Sequence, residues 1–273
     1  MNPHEHALEL PGAQLDISRM PGHWLLARMG KRVLRPGGLE LTRTMLDGLA
    51  VSASDHVVEF APGLGITTRL VLAAAPATYV GVERDEAAVR VTQRVLRPGC
   101  DECRQGVASK TGLSDASATV VFGEAMLTMQ TTDQKTAIVR EAHRILRTGG
   151  RYGIHEIALN DDISESEKAA IQRELSDTIH VGARPLTMSE WTQVLEQGGF
   201  EVISRATAPM HLLEPARMIA DEGVLGTMRI AANILRNPAA RQRVVGMRSV
   251  FRKYAPQMCA VTLVARSKAK ASA

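Results

Sequence analysis

Short unbroken apolar runs alternate with stretches of helical spacing along most of the chain. The runs at 57–60, 79–82 and 119–122 have the length of buried strands, and a weaker one lies at 103–107. Between them, 66–75, 85–96 and 132–146 read as helices; in the last, Ala137, Ile138, Ala142 and Ile145 form an apolar stripe. Pro76 ends the first of these helices, and the Gly149-Gly150 pair ends the connection into a further strand at 151–159. Such alternation predicts an α/β fold, a doubly wound and mostly parallel sheet covered on both faces.

Three stretches stand outside the alternation. "HWLLARMGKRVLRPGGLELTRTMLDGL" reads as helix, a break at Pro36-Gly37-Gly38, then helix. Residues 164–180 form a helical insert after the 151–159 strand. Residues 209–255, rich in Met and Arg, read as long helices between the strand "FEVISRAT" and a final strand, "MCAVTLVAR". The expected organisation is one domain. A helical cap spans 1–50, a Rossmann-like core spans 51–208 with 256–266 and an antiparallel last strand, and a lid spans 209–255. For that last insert three readings stay open: a lid over an apolar or anionic substrate, an amphipathic surface resting on a membrane, or a helical subdomain with solvated arginines.

Composition narrows the classes. The 45% hydrophobic and 23% charged shares are those of a globular protein, and no apolar run approaches a membrane span. Aromatics at 3% argue against a stacking-type single-strand binder, and no nucleic-acid partner is expected. The N-terminus lacks a basic start followed by an apolar stretch, and three cysteines make no disulfide framework, so a cytoplasmic location is expected. Cys100 and Cys103 form a lone CxxC without a second ligand pair, so no metal is expected. Charge is uneven. Ten of the 33 basic residues, from Arg229 to Lys270, follow Glu222, whereas all 29 acidic residues lie at or before it. An acidic body with a basic tail suits an anionic substrate, an anionic surface or a solvated face.

The chemistry concentrates in "HVVEFAPGLGITTRLVLAAAPATYVGVERDEAAV". Gly63 and Gly65, with Ala61, leave room for a ligand against the backbone beyond the first strand. Glu83 ends the second strand, twenty residues after Gly63, where a carboxylate accepts both hydrogens of a ribose diol. A dinucleotide site wants a third glycine where Thr68 stands, and Glu59 within the first strand suits a cationic ligand better than a pyrophosphate. A nicotinamide-dependent oxidoreductase is therefore the weaker reading.

"VVEFAPGLGITTRL" and "YVGVERDEAAV" resemble the first two motifs of class I S-adenosylmethionine-dependent methyltransferases. "REAHRILRTGGRYGIHE" is similar to the helix, double-glycine turn and fifth strand of their ubiquinone- and menaquinone-type small-molecule branch, and "MSEWTQVLEQGGFEVI" resembles the later helix and sixth strand. The resemblance implies S-adenosylmethionine as cofactor. It also implies Glu59, Ala61, Gly63 and Gly65 around the methionine part, Glu83 on the ribose and Arg84 beside the adenine. Ala108 stands where the family often has an Asp for the adenine amine, leaving that contact to the backbone around Val107, while Glu124 and Ala125 fall at the cofactor mouth. A small-molecule acceptor, amphiphilic or anionic, is expected, with a non-catalytic cofactor-binding protein as the rival. "GEAM" stands where the amino-methylating DNA enzymes carry Asn/Asp-Pro-Pro-aromatic.

Any base should project from the carboxyl ends of the later strands or from the inserts. His155 beside Glu156, His180 after the first insert helix and His211 after the sixth strand occupy such places and are expected to converge on the pocket. His155 is the best candidate, since a neighbouring carboxylate can set its tautomer, although only one of two adjacent strand residues faces the pocket.

Overall fold

The computed structural model describes residues 10–269. In chain order the elements are α1 (Gly22–Arg28), α2 (Gly38–Leu49), β1 (His56–Phe60), α3 (Ile66–Leu72), β2 (Thr78–Glu83), α4 (Glu86–Gln93), β3 (Asp101–Gln105), β4 (Ala118–Glu124) and α5 (Thr132–Ile145). Then follow β5 (Leu146–Leu159), α6 (Glu165–Ile179), β6 (Leu186–Thr187), α7 (Met188–Gln197), β7 (Phe200–Pro209), α8 (Pro215–Arg236), α9 (Pro238–Lys253) and β8 (Met258–Ser267). The strands lie in the order β3-β2-β1-β4-β5-β8-β7, with β6 beside β5. Neighbours run parallel except that β8 is antiparallel to both β5 and β7. This is the expected doubly wound, mostly parallel sheet, with β8 antiparallel to its neighbours.

Period-two side-chain alternation explains the two covered faces. Val58, Val121 and Tyr152 share a buried cluster with Ile138 and Ala142 of α5 and Trp191 of α7. Their neighbours Val57 and Val120 turn the other way, onto Met45 and Leu49 of α2 and Val71 of α3. α2 thus covers the sheet rather than only capping it. It approaches closely because β5 carries Gly153, where a Cβ would lie 2.9 Å from Leu49 Cδ1. β5 also begins earlier than the glycine pair suggests, at Leu146, with a register shift opposite β4 that takes up Gly149 and Gly150.

Three helices start with capping boxes. Thr131 with Gln134, Ser164 with Glu167 and Thr187 with Glu190 each satisfy two otherwise orphaned donors at the starts of α5, α6 and α7.

A further apolar cluster lies off the sheet. Leu25 and Leu26 of α1, Ile171 and Leu175 of α6, Ile230 of α8 and Met247 of α9 meet there. This cover is joined to the loop between α1 and α2 by the last acids before the basic tail. Glu222 Oε1 accepts the backbone N–H groups of Arg32 at 2.7 Å and Val33 at 2.8 Å. Asp221 Oδ1 accepts that of Leu39 at 3.0 Å. The fully buried Lys31 ammonium lies 3.9 Å from Asp221 and 3.8 Å from Glu222. α8 breaks immediately afterwards, at Gly223, whose φ of 73° is left-handed. Basic residues 229–268 thus follow an anchored hinge; Lys270 lies outside the described residues.

Candidate functional site

The chain runs outward from β1 to β3 and returns to β4 on the other side of β1, so the loops after β1 and β4 diverge above the sheet. A cavity of about 640 Å³ opens there. Its polar half is formed by the loops after β1 to β4 and includes Ala61, Gly63, Glu83, Arg84, Val107, Ala108, Glu124 and Ala125. Its apolar half comes from the cover: Leu26 of α1, Leu175 and Ile179 of α6, Met210 and Leu212 before α8, and Met247 and Phe251 of α9.

Glu83 ties the two motif loops together. Its carboxylate accepts the N–H of Gly63 at 3.1 Å through one oxygen and that of Asp85 at 3.0 Å through the other. Burial pushes its pKa up against these bonds. Two cavity residues that are not glycine, Ala61 with φ 54° and Ala125 with φ 51°, hold left-handed conformations at the ends of β1 and β4. Such strain is concentrated where a backbone must turn sharply beside a ligand.

Glu124 is the hub. Its Oε1 accepts Thr42 Oγ1 at 2.6 Å and faces His155 Nδ1 at 2.8 Å. Its Oε2 takes Arg35 Nη1 at 2.9 Å and a short bond from the Thr67 hydroxyl. Burial alone would raise its pKa, but the Arg35 charge and the bond and charge of His155 outweigh it and hold the carboxyl at about 2. Arg35 spends only one nitrogen on this pair. Its Nε and Nη2 are buried without a hydrogen-bond partner, and the residue lines the cavity.

The histidines are not brought together. His155 is fully buried beneath the cavity, with Nδ1 on Glu124 and Nε2 donating to the Pro36 carbonyl at 2.6 Å. Both ring nitrogens are taken by protein partners and the ring does not line the cavity, so the expected base is instead a strut between β5 and the loop before α2. Its neighbour Glu156 does line the cavity, but accepts the N–H groups of Met126, Leu127 and Thr128. His180 is the exposed left-handed C-cap of α6, and His211 is exposed beside Glu214; neither lines the cavity.

Two motif residues are also corrected. Glu59 does not reach the cavity. Its carboxylate accepts Tyr79 Oη at 2.6 Å and Thr68 Oγ1 at 2.8 Å, which is why a threonine stands where a dinucleotide fold wants glycine. It holds α3 against β2 and so positions loop 61–65 from below. Gly65 likewise faces away, since a Cβ there would lie 3.4 Å from Val95 and 3.5 Å from Thr92 beside α4. The arginines of 209–255 line the apolar half at no described position: Arg248 and Arg252 clasp Glu214, and Arg243 bonds the Ile17 and Met20 carbonyls.

Burial pushes the Glu59 pKa up to about 7 against the bonds from Tyr79 and Thr68. A raised folded value means the native state holds this proton more tightly. The stability it provides is complete below the ordinary value of 4.5 and is lost as pH rises through about 7. The stability difference between wild type and Glu59→Gln should therefore move by about 3 kcal/mol in favour of the variant across that window, read by urea denaturation. A difference independent of pH would exclude the buried, ionising carboxyl.

Sequence reasoning missed two cavity residues. Arg35 was passed over as part of a helix break, and only its position before Pro36 and two glycines marks a fixed turn. His23 of α1 lines the cavity near Arg84 and Asp85, and burial with the Arg84 charge lowers its pKa to about 4, leaving a neutral ring.

Residues 58–154 match the family described as Methyltransferase domain. An uncharacterized protein of Haemophilus influenzae is 32% identical over 220 residues, covering 79% of this chain and 86% of its own length. Among solved structures, the cyclase SpnF superposes with a TM-score of 0.67 at 14% identity, covering 90% of this chain and 93% of that one. Geranyl diphosphate methyltransferase in complex with S-adenosylmethionine gives 0.60 at 12% identity, covering 82% and 83%. The fold and its cleft define a class I, Rossmann-like architecture. The methyltransferase domain over residues 58–154, set on this fold, supports an S-adenosylmethionine-dependent methyltransferase with S-adenosylmethionine as its cofactor.

Among the described residues no helix is long and apolar enough to cross a membrane, and no group of three or more His, Cys, Asp or Glu could hold a metal ion.

Proposed function

We propose that this methyltransferase acts on a small, amphiphilic and largely apolar acceptor held between α1, α6, α9 and the segment before α8. The division of the cavity into a polar half on the motif loops and an apolar half on the cover carries this reading. The residues present fit the cofactor. A Cβ at Gly63 would project into open space, and the two free nitrogens of Arg35 suit a carboxylate in bidentate geometry. Glu83 would hold the ribose, Arg84 and the backbone at Val107 and Ala108 the adenine, and Ala61, Gly63, Glu124 and Ala125 the methionine part, whose carboxylate falls to Arg35. The "REAHRILRTGGRYGIHE" motif supports a place near the ubiquinone- and menaquinone-type branch.

S-adenosylmethionine supplies a methyl group already activated by a sulfonium charge. What remains for the chain is alignment and exclusion of water, which the apolar half provides. His23, beside Arg84 and Asp85, belongs to the ribose end rather than the apolar half. No described histidine lines the apolar half, and Glu156, the carboxyl that lines the cavity, is taken by three backbone N–H groups, which favours an acceptor whose nucleophile needs no deprotonation there. An anionic acceptor loses the support it had from the lid arginines; Arg32 at the rim is the remaining cation on that side.

Calorimetry with S-adenosylhomocysteine tests the arrangement. Glu83→Ala should weaken binding by about 1–3 kcal/mol, the cost of leaving polar groups unpaired. Unchanged affinity would remove Glu83 from the ribose. An acceptor screen tests the other half: turnover confined to strongly polar acceptors would overturn the apolar reading.

A further inference from the structure

The outer face of α8 carries an apolar stripe that nothing described covers. After the break at Gly223, Val224, Met228, Ala231 and Leu235 recur at steps of four, three and four residues, which places them along one side of the helix. All four are exposed, and Leu225 beside them is 81% exposed. The opposite side is accounted for, since Ile230 is buried in the cover cluster. Val245 of α9 adds a further exposed apolar side chain to the same insert. Exposed apolar residues grouped in this way mark a contact surface rather than ordinary scatter.

The charges around the stripe say what it meets. Arg229 and Arg236 flank it and Arg241 begins the next helix; all three are exposed and make no ion pair among the described residues. From Gly223 onward no acidic residue is available to any of them. Glu214, Asp221 and Glu222, the acids that precede the break, are committed to Arg248, Arg252 and the loop after α1. A second copy of this chain seated on the stripe would bring two arginine fringes together with no carboxylate between them. An apolar stripe bordered by unpaired arginines is instead complementary to an anionic lipid surface, with the apolar side chains at the acyl boundary and the guanidinium groups among the headgroups.

We propose that α8 is a peripheral membrane-docking surface for anionic bilayers. The proposal stands on the outer face of the insert alone and does not require the acceptor reading above. The inner face of the same insert supplies Met247 and Phe251 to the apolar half of the cavity, so docking would bring that half close to the membrane.

The test is co-sedimentation of the whole protein with vesicles of phosphatidylcholine alone or mixed with phosphatidylglycerol. Binding should occur on the mixed vesicles, fall at high salt, and be weak on the neutral ones. L225E with M228E, and separately R229E with R236E, should each lower binding to the mixed vesicles by roughly tenfold or more. None of these side chains lines the cavity, so unchanged S-adenosylhomocysteine affinity shows that the variants are folded. Equal binding to both vesicle types overturns the proposal. So does absence of binding to either, including the case in which the same substitutions instead abolish a monomer–dimer shift in sedimentation.

Discussion

Glu124→Ala should lose about 3–5 kcal/mol of folding stability and bind S-adenosylhomocysteine poorly in whatever fraction remains folded. The size follows from what the carboxylate neutralises. Arg35 has a side chain only 11% exposed, His155 is fully buried, and Glu124 is the acidic partner of both. Removing it leaves those groups and the hydroxyls of Thr42 and Thr67 facing one another without an acceptor. Glu124→Gln keeps the volume and one acceptor oxygen, so its loss should be smaller. A proton linkage identifies the same group independently. The folded pKa of about 2 lies below the ordinary 4.5, so the stability from the ionised form is complete above pH 4.5 and is lost as pH falls through about 2. Chemical denaturation between these values should show the wild type losing stability toward acid, and Glu124→Gln losing less. If alanine costs under about 1 kcal/mol, the hub is an exposed surface pair and not a buried one.

The fold was legible because its signals are local. Unbroken apolar runs for strands and the stripe along α5 are each written within one element. The motif loops have a related cause: a turn that passes close to a ligand demands small residues at fixed spacing, and Ala61, Gly63 and Glu83 lie together at the cavity.

What was not legible depends on distant partners. Alternation along β5 meant that only one of His155 and Glu156 could face the pocket, and His155 was the expected one, yet it is Glu156 that lines the cavity, held by the turn after β4, while His155 turns to Glu124 and Pro36. Arg35 lies 89 positions before Glu124, and nothing local announces that pairing. The charge of the lid misled in the same way. Its arginines counted as a group suggested an anion site, but four of them are used internally, by Glu214, by Glu40 with Asp221 and by backbone carbonyls, while Arg229, Arg236 and Arg241 are exposed. Net charge speaks to association with other bodies, and not to which side of a helix the charges occupy.

Gly63→Asn should weaken S-adenosylhomocysteine binding by at least about 100-fold, near 2.7 kcal/mol, while leaving stability within about 1 kcal/mol of wild type. Gly63 holds φ at 59°, and asparagine is among the few side chains that accept this conformation at modest cost. The only atom within 4 Å of a Cβ placed there is the Ala61 carbonyl oxygen, at 3.9 Å, so the protein itself offers no clash. The added side chain would fill the space between the first loop and Glu83, where the cofactor must pass. Gly65, two residues on, separates the two effects. It is also left-handed, with φ 69°, but a Cβ there would already be in contact with Val95 at 3.4 Å and Thr92 at 3.5 Å, so the further atoms of an asparagine would have to displace the adjoining helix and turn. Gly65→Asn should therefore cost stability first and affinity only through the displaced loop. Calorimetry and urea denaturation on both variants decide between a ligand-facing glycine and a pair of turn glycines. Normal binding by a folded Gly63→Asn protein would mean the loop serves only the strand-to-helix turn, and the cofactor would have to lie elsewhere in the cavity.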